Sequence, residues 1–488
     1  MNTGNSIRIF KHFHLLRMPI CCIVACLLCV HYSIAQTIIE WDRTFGGDQF
    51  EELTKVIQTS DGGYLLGGST TSGISGDVSQ VSQGSADYWI VKTDAAGNKL
   101  WDARFGGNFG EILQYVEQTS DGGYIIGGWS ASDAVGDKSE ANNGPFWTTD
   151  YWIVKLDATG NKTWDKTFGA DQNEQLWEVH QTSDGGYILG GWSTSNINGD
   201  KTNASRGGFD YWVVKTDASG NKLWDRTYGG SSTDMLLTLQ QTTDGGYVLG
   251  GLSGSGISPE KSEPAIGSLD FWLIKTDATG NISWDRTYGG GGNDQLKSLQ
   301  QTSDGGYILG GFSDSGAGGD KTGVNRGSLD YWIIKTNASG LKEWDSTFGG
   351  AGTEDLNSIY ETDKEIFIAG GFSQSGIDSD KSTPLIGNID YWTVYIDRNG
   401  NKLYDQSFGA NGTNVLYDFI RTDDNGYLLA GHSDSNISGD KTQNSNGAND
   451  QWIIKLACDP LLDLPQDTSI CEGTTFTINA TDYGRFSC

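Results

Sequence analysis

A tryptophan–aspartate pair, replaced once by tyrosine–aspartate, recurs in this chain at Trp41, Trp101, Trp164, Trp224, Trp284, Trp344 and Tyr404, at spacings of 60, 63, 60, 60, 60 and 60 residues. Self-similarity at such a period means that one supersecondary unit is stacked on copies of itself, because a unit of this size cannot bury its apolar faces alone. Each unit holds the same four segments, which in the third unit span residues 176–182, 187–192, 211–216 and 222–228. All four read as strands. Asp184-Gly185-Gly186 joins the first two and Asp-Ala-Ser-Gly-Asn at 217–221 joins the last two, both being hairpin chemistry. In Tyr211-Trp212-Val213-Val214 both alternating faces are apolar, which fits a strand packed between neighbouring sheets.

Four-stranded units of this length in a chain without helical periods predict an all-β fold, a β-propeller. The ends set the blade count. Residues 38–45 form a fourth strand with nothing before it, while the last unit supplies only three strands, at about 415–422, 427–432 and 451–456. The fragments complete each other, predicting seven four-stranded blades closed by the N-terminal strand over residues 36–457. Closure also removes edges that invite aggregation. The 70 glycines fit this picture. Besides the hairpins, a Gly-Gly pair ends each second strand (for example Gly127-Gly128 and Gly190-Gly191), and it predicts a flat aromatic from the adjacent blade lying against it. The repeating tryptophans are the candidates, and Trp224→Ala is expected to cost about 3–5 kcal/mol.

Before the repeats, basic residues up to Arg17, an apolar run from Met18 to Val30 and Ser33-Ile34-Ala35 have the grammar of a secretory signal over 1–35, cleaved after Ala35. A rival reading takes Ile23-Val24-Ala25-Cys26 as a lipobox with Cys26 acylated. Removing Arg8, Lys11 and Arg17 takes the net charge from −29 to −32. So acidic a protein repels nucleic acid and anionic lipid, leaving cations, neutral sugars or basic proteins as partners. No later stretch is long and apolar enough to span a membrane as a helix, and a monomer is expected. Four of the seven cysteines fall in the signal, and Cys458, Cys471 and Cys488 follow the repeats, so the propeller is held by packing alone.

Segments such as Asp-Tyr-Trp-Ile-Val-Lys-Leu-Asp-Ala-Thr-Gly-Asn-Lys at 150–162 and Asp-Gly-Gly-Tyr-Ile-Leu-Gly-Gly at 184–191 resemble the secreted bacterial β-propeller repeats of the SBBP and delta-60 kinds. The likeness covers about residues 38–457 and implies a surface-associated propeller. Residues 465–474 resemble the opening of the Ig-like or PKD-like modules of type IX secretion cargo, which makes 458–488 the start of a truncated C-terminal β module.

Chemistry is expected on the face carrying the loops between second and third strands, the longest in each unit. Those loops hold Gly-Asp-Lys or a relative, with Asp137, Asp200, Asp320, Asp380 and Asp440, and an aspartate such as Asp150 or Asp210 precedes each third strand. Rings of carboxylates suit Ca²⁺, which takes six to eight oxygen ligands. An aspartate in every repeat is more simply a turn former or a partner of the adjacent lysine. No loop has the Asp-x-Asp-x-Asp-Gly spacing, so no cofactor is assigned. The three extra residues of the second unit fall beside Pro145-Phe146-Trp147. Trp147, with Phe146, Trp129 and Trp192, forms a candidate sugar-stacking platform, against the plainer reading of aromatics packed between blades.

Catalysis is not expected, since the repeats hold only His180 and His432, no His/Cys zinc cluster, no nucleophile elbow and no phosphate loop. Residues 94–101 are similar to the tryptophan-docking motif of quinoprotein dehydrogenases, one residue short, and 59–63 partly resemble a sialidase Asp-box. Both sit at turn positions. The function expected is binding or adhesion at the cell surface, to glycan or protein through the long-loop face. The alternatives are a polysaccharide-active or quinoprotein-like enzyme, and a structural spacer.

Overall fold

Gly185 adopts φ +82° in the tight turn after Asp184, a conformation that costs glycine nothing, and glycine holds the equivalent place in most of the other first hairpins. Such turns fold each repeat into one antiparallel sheet. In the computed structural model, which describes residues 38–362 and 366–457, there are seven four-stranded sheets. Blades 1 to 6 comprise residues 51–105, 111–168, 174–228, 234–288, 294–348 and 354–408. Blade 7 comprises the strands Asn414–Arg421, Tyr427–Ser433 and Asp450–Leu456, and its fourth strand is the N-terminal Ile39–Phe45, paired antiparallel to Asp450–Leu456. The first strands of adjoining blades touch all the way round, blade 7 meeting blade 1. The molecule is a seven-bladed β-propeller closed by its N-terminal strand. The segment expected to be a signal, with Ala35 and Cys26, and the module expected at 458–488, with Cys458, Cys471 and Cys488, lie outside the described residues.

The core sits between blades. At the junction of blades 1 and 2, Tyr88, Ile90 and Phe105 bury themselves against Leu113, Val116, Trp152 and Val154, and the other six junctions repeat this cluster. Aromatics of the third strands stack blade to blade. Tyr151 lies 4.8 Å from Trp212 of the next blade and donates its hydroxyl to the Trp212 carbonyl at 2.9 Å. The Trp212 indole N–H in turn donates to Asp225 at 3.2 Å, which pays for burying a polar atom.

The Gly-Gly pair meets the expected flat aromatic of the next blade at Gly370, against Phe419, and at the other blades has a different reason. The space beyond Gly127 is filled by Leu176 and Val179, aliphatic residues of the next blade, and Gly128 backs onto the carbonyl of Ile112 in its own sheet. A bulge in the first strand, between Leu113 and Tyr115, pushes that carbonyl out, and no Cβ fits there. A tryptophan does lie on a glycine, but at the second hairpin: the Trp164 ring covers Gly220 and the Trp224 ring covers Gly280. These fourth-strand tryptophans are only half-buried, so the cost expected for Trp224 belongs instead to the fully buried Trp212.

Candidate ligand face

Each crossover from one blade to the next is clamped by the long loops of both. Phe50, in the crossover into blade 1, bridges to Asn449 at the end of the long loop of blade 7. Gly46 in the same crossover donates its N–H to the carboxylate of Asp77 in the long loop of blade 1, at 3.2 Å. The predicted aspartates make the same contact. Asp137, Asp200, Asp320, Asp380 and Asp440 accept the N–H of Gly106, Gly169, Gly289, Gly349 and Gly409 at 3.0 to 3.3 Å. One oxygen of each carboxylate thus accepts a backbone donor, and among the described residues no group of three or more His, Cys, Asp or Glu side chains is disposed to hold a metal. The adjacent lysines turn inward. Lys201 donates to Thr227 at 2.6 Å and lies over the Trp212 ring, and Lys261 stands 4.9 Å from the Trp272 centroid. With these lysines buried, the acids dominate what the face shows to solvent.

The seven-fold pattern breaks at blade 2. Asn142 donates from Nδ2 to the carbonyls of Ser130 and Thr148, and the Thr148 hydroxyl donates to Pro145 O at 2.7 Å, so the inserted segment is pinned at its base. At its tip Phe146 and Trp147 stand out of the surface, each 66% exposed, and Trp147 takes φ +76°. A tryptophan in that region carries about 1–3 kcal/mol of strain, so the loop holds the ring outward at a cost. Both rings meet Phe109 in the crossover between blades 1 and 2, with centroids 4.9 and 4.8 Å away, and lie 4.7 Å from each other. Phe109 escaped the sequence reading. Its signal is positional, since the equivalent crossover residue is Gln49, Gln172, Ser232, Gly292, Gly352 or Gly412 elsewhere. Trp129 and Trp192 are not part of this cluster as an exposed surface: Trp129 is half-buried, and Trp192 is 6% exposed and packs edge-on against Phe209 at 4.7 Å.

A second asymmetric group lines the inner strands, where the repeats disagree most. Lys55 pairs with Asp418 across the closure at 3.1 Å and lies over the Tyr115 ring. His180 contacts Glu117 at 2.9 Å and Glu178 at 3.2 Å; burial opposes its charge, but the two glutamates outweigh it and push the imidazole up to about 10. The corresponding residues of blades 4 and 5 are the neutral Thr238, Gln240, Ser298 and Gln300. Several members accept backbone N–H groups of the next blade's inner strand, as Asp418 does from Val56 and Gln240 from Gln301, so they stitch blades together. His432 is buried, and desolvation pushes it down to about 4. On the opposite face, a concavity of about 570 Å³ between blades 2 and 3 is bounded by Trp164, Tyr187 and the Lys155–Asp121 ion pair.

No family model matches the chain. FlaEY, a regulatory protein of Caulobacter vibrioides, is 23% identical over 261 residues, which make up 50% of this chain and 26% of that protein. The match thus spans about a quarter of the relative's length. Among solved structures, the WD40 domain of Neurospora crassa Pan2 is similar with a TM-score of 0.44 and 11% identity over 84% of this chain and 89% of that one. Sqt1 from Chaetomium thermophilum is similar with a TM-score of 0.42 and 11% identity over 85% and 100%. The fold assignment rests on the strand pairing itself.

Proposed function

We propose that this chain is an exported binding module that engages a glycan or a protein through its long-loop face, centred on Phe109, Phe146 and Trp147. A propeller is a rigid scaffold on which loops do the recognising, and this aromatic cluster is where blade 2 departs from the loop frame that the other blades share. The observation that carries the reading is the exposed, strained Trp147 braced by two further rings. Flat rings held outward give apolar stacking area at little entropic cost, which suits the apolar face of a sugar ring or an aliphatic side chain. The reading is of binding rather than catalysis, because the titratable groups brought together inside the ring are engaged with one another and with backbone donors. Export rests on the residues at 1–35 and on the acidic charge. No helix among the described residues is long and apolar enough to cross a membrane.

The test is a glycan array and a panel of extracellular matrix and surface proteins, probed with residues 36–488 and with the same chain carrying Trp147→Ala. A hot-spot aromatic is worth about 2 kcal/mol or more, so the variant should bind about 30-fold more weakly. Its thermal midpoint should not fall, because the side chain is exposed. Binding that Trp147→Ala and Phe146→Ala leave intact would place the ligand elsewhere.

A further inference from the structure

Beneath the long-loop face every blade junction buries the same set of charged side chains. The aspartate that opens the third strand of one blade lies beside the acid that opens the first strand of the next: Asp450 with Glu51, Asp87 with Glu111, Asp150 with Glu174, Asp210 with Asp234, Asp270 with Asp294, and Asp330 with Glu354. All twelve are fully buried. One buried cation accompanies each pair, while the more exposed Arg206 and Arg326, paired with Glu260 and Asp380, stand outside two of the junctions. The buried cation is the loop lysine (Lys441, Lys138, Lys201, Lys261 or Lys321), except between blades 1 and 2, where Val78 replaces lysine and Arg104 pairs with Asp87 instead. Two carboxylates against one buried cation leave an uncompensated buried negative charge, which is costly.

Two observations show how that charge is removed. Oδ1 of Asp87, Asp150, Asp210, Asp330 and Asp450, and of Asp234 and Asp294, is buried with no donor. A carboxylate oxygen left so is unfavourable, and a proton on one member of the pair supplies the missing donor. At the junction of blades 6 and 7 the second acid is replaced: Asp390, which burial still pushes up, faces Asn414 and Lys381. Asn414 keeps the geometry of the acids it replaces. Its Oδ1 accepts the hydroxyls of Ser433 and Ser435 at 2.7 and 3.2 Å, as Glu111 accepts Ser130 and Ser132 at 2.8 and 2.5 Å. Its Nδ2 donates to the carbonyls of Ile389 and Ala410, whereas the second oxygen of the acids it replaces accepts a backbone N–H, as Glu111 does from Gly107 at 2.8 Å, so in the two-acid junctions the proton falls to the aspartate that opens the third strand.

We propose that each of the six two-acid junctions holds a proton between its carboxyl groups in mildly acidic solution, where the unfolded chain has already released it, making the ring a device that is tightest in mild acid and loosens toward neutral pH. Burial, the largest cause, pushes Asp150 up to about 7 and Asp210, Asp270, Asp330 and Asp450 up to about 6. The other charges facing these groups do not cancel the effect. Asp137 and Asp200 add negative potential at Asp87 and Asp150, while Arg206 and Arg326 ease Asp210 and Asp330. Glu140, Glu263 and Asp434 face the lysines, and the nearby fourth-strand Asp165 and Asp225 are paired with Lys162 and Lys222. An acid whose folded pKa is raised contributes stability that is lost as pH rises, here between about 4 and 7, with a tenfold change in the unfolding constant per pH unit for each linked proton.

The experiment is urea unfolding of the full chain at steps from pH 5 to pH 7.5, for the native protein and for Glu174→Gln and Asp234→Asn, which copy Asn414, together with the reverse change Asn414→Asp. The native protein should lose stability as pH rises. Each amide variant should remove up to a tenfold change per pH unit from that slope and be at least as stable as the native protein at pH 7.5, whereas Asn414→Asp should steepen the slope. His180 and His432 titrate equally in every variant and cancel in the comparison. Slopes that the amide substitutions leave unchanged, or a native protein whose stability is flat or rises over this range, overturn the proposal. If a variant does not fold, infrared spectra of the native protein decide: a protonated-carboxyl carbonyl band that fades between pH 5 and 7.5 supports the shared protons, and its absence at pH 5 overturns them.

Discussion

At the scale of the residue, what holds this molecule is set by a few positions that repeat in every blade. Trp212 has no exposed surface, stacks against Tyr151 of the preceding blade and satisfies its indole with Asp225. Trp212→Ala should therefore cost about 3–5 kcal/mol in urea unfolding, and the half-buried Trp224→Ala distinctly less. The two glycines of the pair separate in the same assay. A methyl at Gly127 meets the ends of Leu176 and Val179, which can shift, while a methyl at Gly128 meets the backbone carbonyl of Ile112, which cannot. Gly128→Ala should cost about 3 kcal/mol and Gly127→Ala about 1 kcal/mol, in line with overpacking of a tight site. Equal costs at the two positions would mean that the bulge relaxes.

At the scale of the element, the strand Ile39–Phe45 is what turns a row of sheets into a ring. It pairs along Asp450–Leu456, and Asp42 accepts the indole N–H of Trp452 and the backbone N–H of Thr442, both at 3.0 Å. In the other blades the equivalent aspartate lies in the same chain segment as its partners, for example Asp225 with Trp212 and Thr202. Deleting residues 36–45 leaves Asp450–Leu456 as an exposed edge and Trp452 without its acceptor, so the product should lose its cooperative thermal transition and aggregate on size-exclusion chromatography. A peptide of residues 37–46 added in trans should restore part of the transition. A truncated chain that melts cooperatively as a monomer would show that the ring does not need this closure.

At the scale of the whole molecule, charge is arranged by face, and pH acts on the two faces in opposite senses. On the hairpin face, hydrogen bonds and lysine neighbours outweigh burial and pull Asp61, Asp121, Asp184 and Asp244 down to about 2. Their folded pKa lies below the unfolded value, so the stability they contribute is present above about pH 4 and is lost as pH falls toward 2. On the long-loop side, the raised junction aspartates lose their contribution as pH rises through 6 and 7. The thermal midpoint should thus pass through a maximum near pH 5, which differential scanning calorimetry from pH 2 to pH 8 measures. A maximum at or above pH 7 would mean that the junction acids are ionised in the folded ring.

The 60-residue period, the hairpin turns and the mismatch between first and last units determined the architecture from the sequence alone, because backbone hydrogen bonding and the alternation of apolar faces depend on local order. Trp147 and Phe146 were also legible, as a departure from a repeat. Phe109 was not: it lies in a crossover 37 residues before Phe146, and only the closing of blade 1 against blade 2 brings the rings together. The junction acids were equally hidden. Asp210 and Asp234 each look like a turn residue at a strand start, and the like charges of two carboxylates become a matter of energy only when packing excludes water from both. Sequence periodicity decided which strands form and how they pair within a blade, while the proximity of groups in different blades, and hence their protonation, was decided by the tertiary structure, because electrostatic and stacking energies depend on distance and burial rather than on order along the chain.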